Sequence, residues 1–223
     1  MMKKFNKILI IIAIILVFVG ATLLIFKQNK KDDNFKEESL INFNISNDIE
    51  HETSFISNNT YLVVVLKNNS NTNIIKANLK VNFTSEEINE EVNMLTKDNK
   101  TVVLVKVPDS LVSNILNEKI KITLDVIKEG ETNFIDVTSL NKDVKYTTTL
   151  NNNYININID GNNTTSKDIK LLMGNIIMYK NNKIVEAKTF GIENIKSKSN
   201  FSKVVSLSNV NYDKIEVYYT FAY

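Results

Sequence analysis

The chain has no cysteine and only one histidine, and these two shortages exclude several kinds of chemistry. Without cysteine there is no disulfide, no cysteine nucleophile and no thiolate metal site. The histidine, His51, lies between Glu50 and Glu52, where it could serve as a ligand or a base. A metal site needs further histidines or cysteines and a base needs an oriented nucleophile, so we expect an exposed loop residue. We therefore expect no catalytic residue, no metal site and no cofactor, and we do not expect an enzyme.

Arginine and tryptophan are also absent, and all 27 basic residues are lysines. Three of them, Lys3, Lys4 and Lys7, precede the longest apolar run, which leaves 24 of the 27 lysines against 25 acidic residues in the rest of the chain. A nearly neutral body lacks the basic surface that binds phosphate backbones. We therefore do not expect nucleic acid as a partner.

The glycines and acidic residues do not form the patterns of a phosphate-binding loop, a glycosidase site or a calcium loop. The five scattered glycines form no phosphate-binding motif. Acidic residues occur as the neighbours Glu86 and Glu87, and Glu90 and Glu91, but adjacent strand residues point to opposite faces, whereas glycoside hydrolysis needs carboxylates that face each other. Residues 160–168 match a calcium loop only in part, because glycine is second and the closing glutamate is missing. We expect turns and solvated hairpins in these segments.

One long hydrophobic run is present, at residues 8–26, and its 19 residues carry no charge. At about 1.5 Å per residue a helix of this length covers roughly 28 Å, close to the ~30 Å hydrocarbon core of a bilayer. We predict a basic tail at residues 1–7, a transmembrane helix in contact with lipid at residues 8–26, and a polar stalk at residues 27–39. The alternatives are a cleaved signal peptide, whose apolar region is usually shorter, and a buried soluble helix.

The side of the membrane is predicted from the layout of the chain. Lysines flank the apolar run on both sides, so the positive-inside rule does not decide. The tail at residues 1–7 is too short to fold, and the lysine-only, asparagine-rich and isoleucine-rich composition is typical of an AT-rich bacterial genome. We predict a single-pass protein of the cell membrane whose C-terminal body is extracytoplasmic.

After the stalk, the hydrophobic pattern has a period of two, which predicts β-strands. Ile120, Ile122 and Leu124 alternate with polar residues, and residues 154–160 alternate in the same way. The β-branched runs at residues 61–66 and 101–107 are too short for helices and are predicted to be central strands. The one helix-like spacing follows Pro108 and predicts one or two helical turns between strands.

An internal repeat divides this β-rich body. Residues 67–76 align with residues 161–170 at an offset of 94, and residues 117–124 align with residues 212–219 at an offset of 95. Two landmarks at nearly the same offset predict two tandem domains, at residues 40–140 and 143–223. The predicted fold class is all-β, with two antiparallel immunoglobulin-like sandwiches preceded by one transmembrane α-helix.

Two features recur in the two repeats, and a third occurs in the second repeat. An Asn-Asn-Ser-like turn occurs at residues 68–70 and 162–164, the following strand ends near an aromatic residue, Phe83 or Tyr179, and a short hairpin lies at residues 181–183. In these features, which cover about half of each repeat, the unit resembles bacterial extracytoplasmic immunoglobulin-like modules, particularly the FxLYD-type domains of low-GC Gram-positive bacteria. The resemblance implies an anchored structural or binding module and transfers no functional residue.

Aromatic residues are densest near the end of the sequence. Tyr212, Tyr218 and Tyr223 are a candidate partner surface, because exposed aromatics on a sheet bind glycans or protein edges. The structural alternative places Tyr219 and Phe221 in a sandwich core and packs Tyr218 against the neighbouring strand.

Together these features predict a membrane-anchored, extracytoplasmic binding or scaffolding protein of a bacterial cell surface, without catalysis, whose ligand is a protein or a glycan. The alternative is an accessory subunit of a membrane or envelope assembly that uses its transmembrane helix for partner contacts. A foreign anchor of equal length would preserve function in the first case and abolish it in the second.

Overall fold

In a computed structural model of the chain, residues 41–131 and 134–223 are described. Strands and the turns between them make up most of these residues, so the predicted all-β class is confirmed. A search of the described ranges finds no helix with the length and apolar character needed to span a bilayer. The predicted tail, transmembrane helix and stalk, at residues 1–7, 8–26 and 27–39, lie outside the described residues.

Thirteen strands and two short helical segments lie within the described ranges. The strands are β1 (Ile41–Asn44), β2 (Ile49–Ile56), β3 (Tyr61–Asn68), β4 (Asn73–Asn82), β5 (Glu87–Leu95), β6 (Lys100–Lys106), β7 (Ile120–Gly130), β8 (Lys145–Asn151), β9 (Tyr154–Asn162), β10 (Ile169–Lys180), β11 (Lys183–Ile195), β12 (Asn200–Ser208) and β13 (Lys214–Ala222). A 3-10 turn (Ile115–Asn117) lies where the spacing after Pro108 predicted helical turns. Helix α1 (Thr138–Lys142) was not predicted, because five residues are too few to show a helical period.

Strands β1 to β7 form two sheets, which we call the N-terminal half. Sheet 1 has the order β1-β7-β4-β5, and sheet 2 has the order β2-β3-β6. β1 runs parallel to β7, with Ile41 opposite Ile120, and the other neighbours pair antiparallel. The two sheets enclose one hydrophobic cluster, to which β3 contributes Val64, β4 contributes Leu79 and β7 contributes Ile122. This cluster is the core of the N-terminal half.

Strands β8 to β13 and helix α1 form the C-terminal half. Sheet 3 has the order β11-β10-β13, and sheet 4 has the order β12-β9-β8, with antiparallel pairing throughout. A second cluster lies between these sheets and includes Ile157 from β9, Ile176 from β10 and Tyr219 from β13. Leu140 of helix α1 is part of the same cluster. The order of the six shared strands is therefore the same in the two halves.

The two halves differ in what pairs with the outer edge of their last strand, β7 or β13. In the N-terminal half, β1 covers the edge of β7. In the C-terminal half, the side chain of Asn141 takes this role on β13: its Nδ2 donates to the Tyr219 carbonyl (2.9 Å), and the Tyr219 N–H donates to its Oδ1 (2.6 Å). One side-chain amide thus pairs with the backbone as a neighbouring strand would.

The repeat is in register at an offset of 95, and one of the two sequence alignments needs a correction. Asn68 and Asn163 make the same hydrogen bonds and lie 95 positions apart. The offset of 94 for the first landmark was therefore wrong by one residue, because consecutive asparagines at the turns allow two alignments. Ile120 and Ile215 in the second landmark are also 95 apart and both pack in their own core.

Strand β6 corrects a second prediction, because it is an edge strand of sheet 2 and not a central one. Its valines are nonetheless buried on both faces. Val103 and Val105 belong to the core of the N-terminal half, whereas Val102 belongs to a third cluster that also contains residues of the C-terminal half. A continuous apolar run therefore marks burial on both faces here, and it does not mark a central position in the sheet.

Candidate functional site between the two halves

The outer face of sheet 2 packs against the outer face of sheet 3, and this interface is apolar at its centre. The third hydrophobic cluster joins Val63, Val65 and Val102 of the N-terminal half to Ile177 and Tyr218 of the C-terminal half, among other residues. Val63 and Ile177 are fully buried. Because the sheets bury large apolar side chains against each other, the two halves are held as one body.

Hydrogen bonds surround this apolar centre. The Ser54 hydroxyl donates to the Ile184 carbonyl (2.7 Å). Farther along, the carbonyl of Thr220 accepts from Asn99 Nδ2 (3.1 Å) and from the Thr96 hydroxyl (3.4 Å). These bonds define the position of one half relative to the other, since each requires a particular pair of residues to meet.

An ion-pair network lies at one side of the interface and centres on Glu216 of β13. Its carboxylate pairs with Lys100 from β6 across the interface and with Lys214 Nζ (2.6 Å) on its own strand. Burial pushes the pKa of Glu216 upward, but the hydrogen bonds from Lys100 and Lys214 outweigh it and hold this pKa below its ordinary value. Glu216 is therefore a charged link between the halves.

Glu52 and Tyr179 belong to the same network, but their pKa values are raised, whereas that of Glu216 is lowered. Burial raises the pKa of Glu52, and the nearby Glu216 carboxylate raises it further, against the attraction of Lys100. Burial and the two carboxylates also raise the pKa of the Tyr179 hydroxyl well above its ordinary value. Tyr179 therefore stays protonated at neutral pH and can donate a hydrogen bond to these acids.

Tyr218 lies just behind the network. Lys100 Nζ sits 4.4 Å from the centre of its ring, a cation–π distance. The Tyr218 hydroxyl is buried and has no hydrogen-bond partner among the described residues. Burial, followed by the charges of the neighbouring acids and Tyr179, raises its pKa. The neutral Tyr218 ring therefore packs against the Lys100 ammonium group.

A groove of about 620 Å³ opens over the network, and both halves line it. The N-terminal half contributes Asn47, His51, Glu52 and Lys100, and the C-terminal half contributes Tyr179. The volume lies within the range of roughly 300–1,000 Å³ that small-ligand sites occupy. Acidic, basic and aromatic groups face one space, so the groove can offer hydrogen bonds and a stacking surface to a polar ligand.

His51 is on β2, and not in a loop as predicted, although it is exposed as expected. Its ring stacks on Phe43, with ring centres 3.7 Å apart and an angle of 28° between the planes. In the described ranges, no group of three or more histidine and acidic side chains is arranged to hold a metal ion. The role of His51 that geometry supports is packing at the rim of the groove.

The structure does not bring the three predicted surface tyrosines together. Tyr218 is only 8% exposed and faces the other half. Tyr212 packs partly against the core of the C-terminal half, and Tyr223 is 47% exposed. Tyr219 is fully buried, which agrees with the structural alternative for this strand. An external role thus stays a prediction for Tyr223, while Tyr218 takes part in an internal contact.

The acidic pairs lie away from the groove. Glu87, Glu90 and Glu91 are on β5, at the edge of sheet 1. In the partial calcium-loop motif, Asp168 instead pairs with Lys196 Nζ (2.9 Å) and accepts the Ser197 N–H (2.8 Å). Its pKa is lowered, first by the Ser197 bond and then by Lys196. Asp168 therefore closes a turn, as predicted.

Sequence reasoning missed Lys100, Glu216, Glu52 and Tyr179 as a group. Nothing in their spacing connects them, because they come from four strands that only the docking of the halves brings together. A usable signal was present in the run at residues 61–66, where Val63 and Val65 add an apolar outer face to a strand of a small sandwich. Apolar residues on an outer face that would otherwise meet water predict that another surface covers sheet 2.

Comparisons with known proteins assign no role to these residues. No family model matches the chain, and a search of curated proteins finds no match in sequence. The functional argument therefore depends on the geometry of the groove and on the apolar run at residues 8–26.

Proposed function

We propose that this protein is a membrane-anchored, extracytoplasmic binding or scaffolding protein of a bacterial cell surface, without catalysis. The observation that carries the proposal is the groove lined by residues of both halves, among them Glu52 and Lys100 of the N-terminal half and Tyr179 of the C-terminal half. A ligand in this groove touches both halves at once. The interface beneath it keeps that surface preformed, which lowers the ordering cost of binding.

The strand order supports an immunoglobulin-like assignment for each half. In such sandwiches, strands A, B and E are neighbours in one sheet, and C and F are neighbours in the other. Here β2-β3-β6 and β8-β9-β12 have the order of A-B-E, whereas β4-β7 and β10-β13 have that of C-F. β1 lies beside β7, at the place of strand G. This order agrees with the resemblance to FxLYD-type modules.

The proposed anchor is the apolar run at residues 8–26, followed by the polar stalk at residues 27–39. In this arrangement the helix serves only to hold the body outside the membrane, and the groove makes the partner contacts. The runner-up function, an accessory subunit of a membrane assembly, assigns partner contacts to the helix itself. Exchanging the helix therefore separates the two functions.

The test places a photo-crosslinking residue at Asn47, an exposed position on the groove, in living cells. The matched control carries the same residue at Asn89, which is exposed on β5 away from the groove. We expect a defined crosslink to a surface protein or polysaccharide from position 47 only, and we expect it to persist when a foreign helix of equal length replaces residues 8–26. Equal crosslinking from both positions would contradict a groove partner. Loss of the crosslink after helix exchange would favour the accessory subunit.

A further inference from the structure

Strand β8 is an edge strand of sheet 4 whose seven residues, Lys145–Asn151, are all exposed. Every residue of β8 is paired with β9 on one side, from Lys145 opposite Asp160 to Asn151 opposite Tyr154. Within the described ranges no strand lies on its other side. The N–H and C=O groups along that side can therefore pair with another strand.

Two other edge strands, β5 and β11, carry several charges that oppose such pairing. β5 carries Glu87, Glu90 and Glu91, and β11 carries the exposed Lys188 and Glu193. Charged edge residues of this kind discourage the addition of a further strand.

β8 has the opposite composition. Its sequence, KYTTTLN, has a single charge at its first position and no proline, and the rest is mostly threonine, tyrosine and leucine, which favour strands or pack well in them. Leu150 is 67% exposed and Tyr146 is 39% exposed. Uncovered apolar side chains on an unguarded edge are typical of a strand that another strand covers.

We propose that β8 pairs antiparallel with β8 of a second copy of this chain. With Thr148 on the two-fold axis, all seven residues find partners, and no pair places like charges opposite each other. Tyr146 lies opposite Leu150 of the second copy, Thr147 lies opposite Thr149, and Lys145 lies opposite Asn151. The two copies then form one continuous sheet of six strands, with the order β12-β9-β8 followed by β8-β9-β12 of the second copy.

The side-chain faces agree with this register. Tyr146, Thr148 and Leu150 pair with Ile159, Ile157 and Ile155 of β9, so they point to the core side of sheet 4. Tyr146 and Leu150 meet each other across the dimer on that same side. An aromatic residue opposite an aliphatic one contributes roughly 0.2–1 kcal/mol beyond an alanine pair, and the symmetric dimer contains this pair twice.

The charges agree as well. The two Lys145 side chains lie at opposite ends of the paired strands, about 20 Å apart at roughly 3.4 Å per residue. This distance exceeds the screening length of about 8 Å at physiological salt, so the lysines do not repel appreciably. The stalk at residues 27–39, with the sequence KQNKKDDNFKEES, is a poorer occupant because it brings many charges and few strand-forming residues.

The absence of cysteine allows a direct test in the full chain. Thr148→Cys places one thiol on the proposed axis, where it meets its own copy, so we expect a disulfide-linked dimer under mild oxidation. Thr147→Cys and Thr149→Cys should each link poorly alone and link efficiently when the two variants are mixed. Asn89→Cys on β5 is the matched edge control and should stay mostly monomeric.

Two further variants keep the result interpretable. Leu150→Lys puts a charge opposite Tyr146 of the second copy and should reduce Thr148→Cys linkage at least tenfold, whereas Val204→Lys on β12, whose native valine is 58% exposed, should leave it unchanged. Linkage of Thr148→Cys no greater than that of Asn89→Cys would overturn the proposal. So would concentration-independent protection from hydrogen exchange at the β8 amides that point away from β9, which would assign the edge to the chain's own residues.

Discussion

Asn68 and Asn163 occupy the same place in the two halves and make the same set of hydrogen bonds. Asn68 Nδ2 donates to the carbonyls of Thr72 (2.8 Å) and Leu95 (3.0 Å), and Asn163 Nδ2 donates to those of Lys167 (2.9 Å) and Lys196 (3.0 Å).

The Oδ1 atoms correspond in the same way. Asn68 Oδ1 accepts the N–H (2.9 Å) and hydroxyl (2.6 Å) of Ser70, and Asn163 Oδ1 accepts the N–H (3.1 Å) and hydroxyl (2.7 Å) of Thr165. Both asparagines are fully buried. Each amide therefore fastens the turn between two strands to a third strand.

Alanine at either position should destabilise the protein by a similar amount. Asn68→Ala and Asn163→Ala each leave two carbonyls without their donor, so we expect a loss on the order of 3 kcal/mol in the free energy of unfolding. Chemical denaturation measures this loss, with exposed Asn89→Ala as the control, expected within about 0.5 kcal/mol of the native chain. A large effect at one asparagine and none at the other would contradict their equivalence.

The interface predicts that the two halves unfold together. Val63 is fully buried against the C-terminal half, so Val63→Asp places a charge in an apolar contact, at a cost of about 3–5 kcal/mol. Because each half keeps its own core, we expect one calorimetric transition in the native chain and two in the variant. Ile127→Asp, at a position 60% exposed on β7, should keep one transition. Two transitions in the native chain would contradict the single body.

Glu52 and Glu216 should give opposite results when neutralised. The raised pKa of Glu52 means that its contribution is most favourable below its ordinary pKa of 4.5 and is lost as the pH rises through the folded-state pKa. Glu52→Gln should therefore raise the melting temperature at pH 7 and have no effect below about pH 4.5.

The lowered pKa of Glu216 has the reverse consequence. Its stabilisation is present above the ordinary pKa of 4.5 and is lost as the pH falls through the folded-state pKa. Glu216→Gln should lower the melting temperature at pH 7, and the difference should shrink steadily below pH 4.5. Melting curves from pH 3 to 8 compare both variants with Glu193→Gln, an exposed control on β11. Effects of the same sign at pH 7 would contradict the network described above.

Alanine substitutions at Gly174 and Gly161 should differ in whether a second substitution can restore the stability of the protein. A Cβ at Gly174 would lie 2.9 Å from the backbone oxygen of Tyr218 and 2.5 Å from Phe190 Cζ, whereas one at Gly161 would clash only with the Phe201 ring. We expect Gly174→Ala to cost about 1–3 kcal/mol and to resist rescue, because backbone atoms must move. Phe201→Leu should rescue Gly161→Ala. Rescue of Gly174→Ala by Phe190→Leu would contradict the backbone clash.

Local patterns predicted the strands well. The alternation at Ile120, Ile122 and Leu124 gave β7, and that at residues 154–160 gave most of β9, because one face of each strand is buried and the other is not. The run at residues 61–66 is confirmed as a central strand, β3. The repeat was visible because both halves keep the same turn chemistry and the same strand order.

The contact between the halves could not be predicted from these patterns. At an offset of 95, Val63 and Val65 of β3 correspond to Asn158 and Asp160 of β9, so one outer face is apolar and the other polar. The sequence thus marks sheet 2 as covered, but it does not say by what. Lys100 and Glu216 are 116 positions apart, and only the docked halves bring them into an ion pair.

The central claim, a body held outside the membrane by an N-terminal helix, is tested most directly by trypsin treatment of intact cells. The stalk contains Lys27, Lys30, Lys31 and Lys36, whereas most lysines of the body lie in paired strands. We predict that trypsin releases a soluble fragment that begins between residues 28 and 37, identified by its N-terminal sequence. A chain that stays intact until the cells are lysed would contradict the claim.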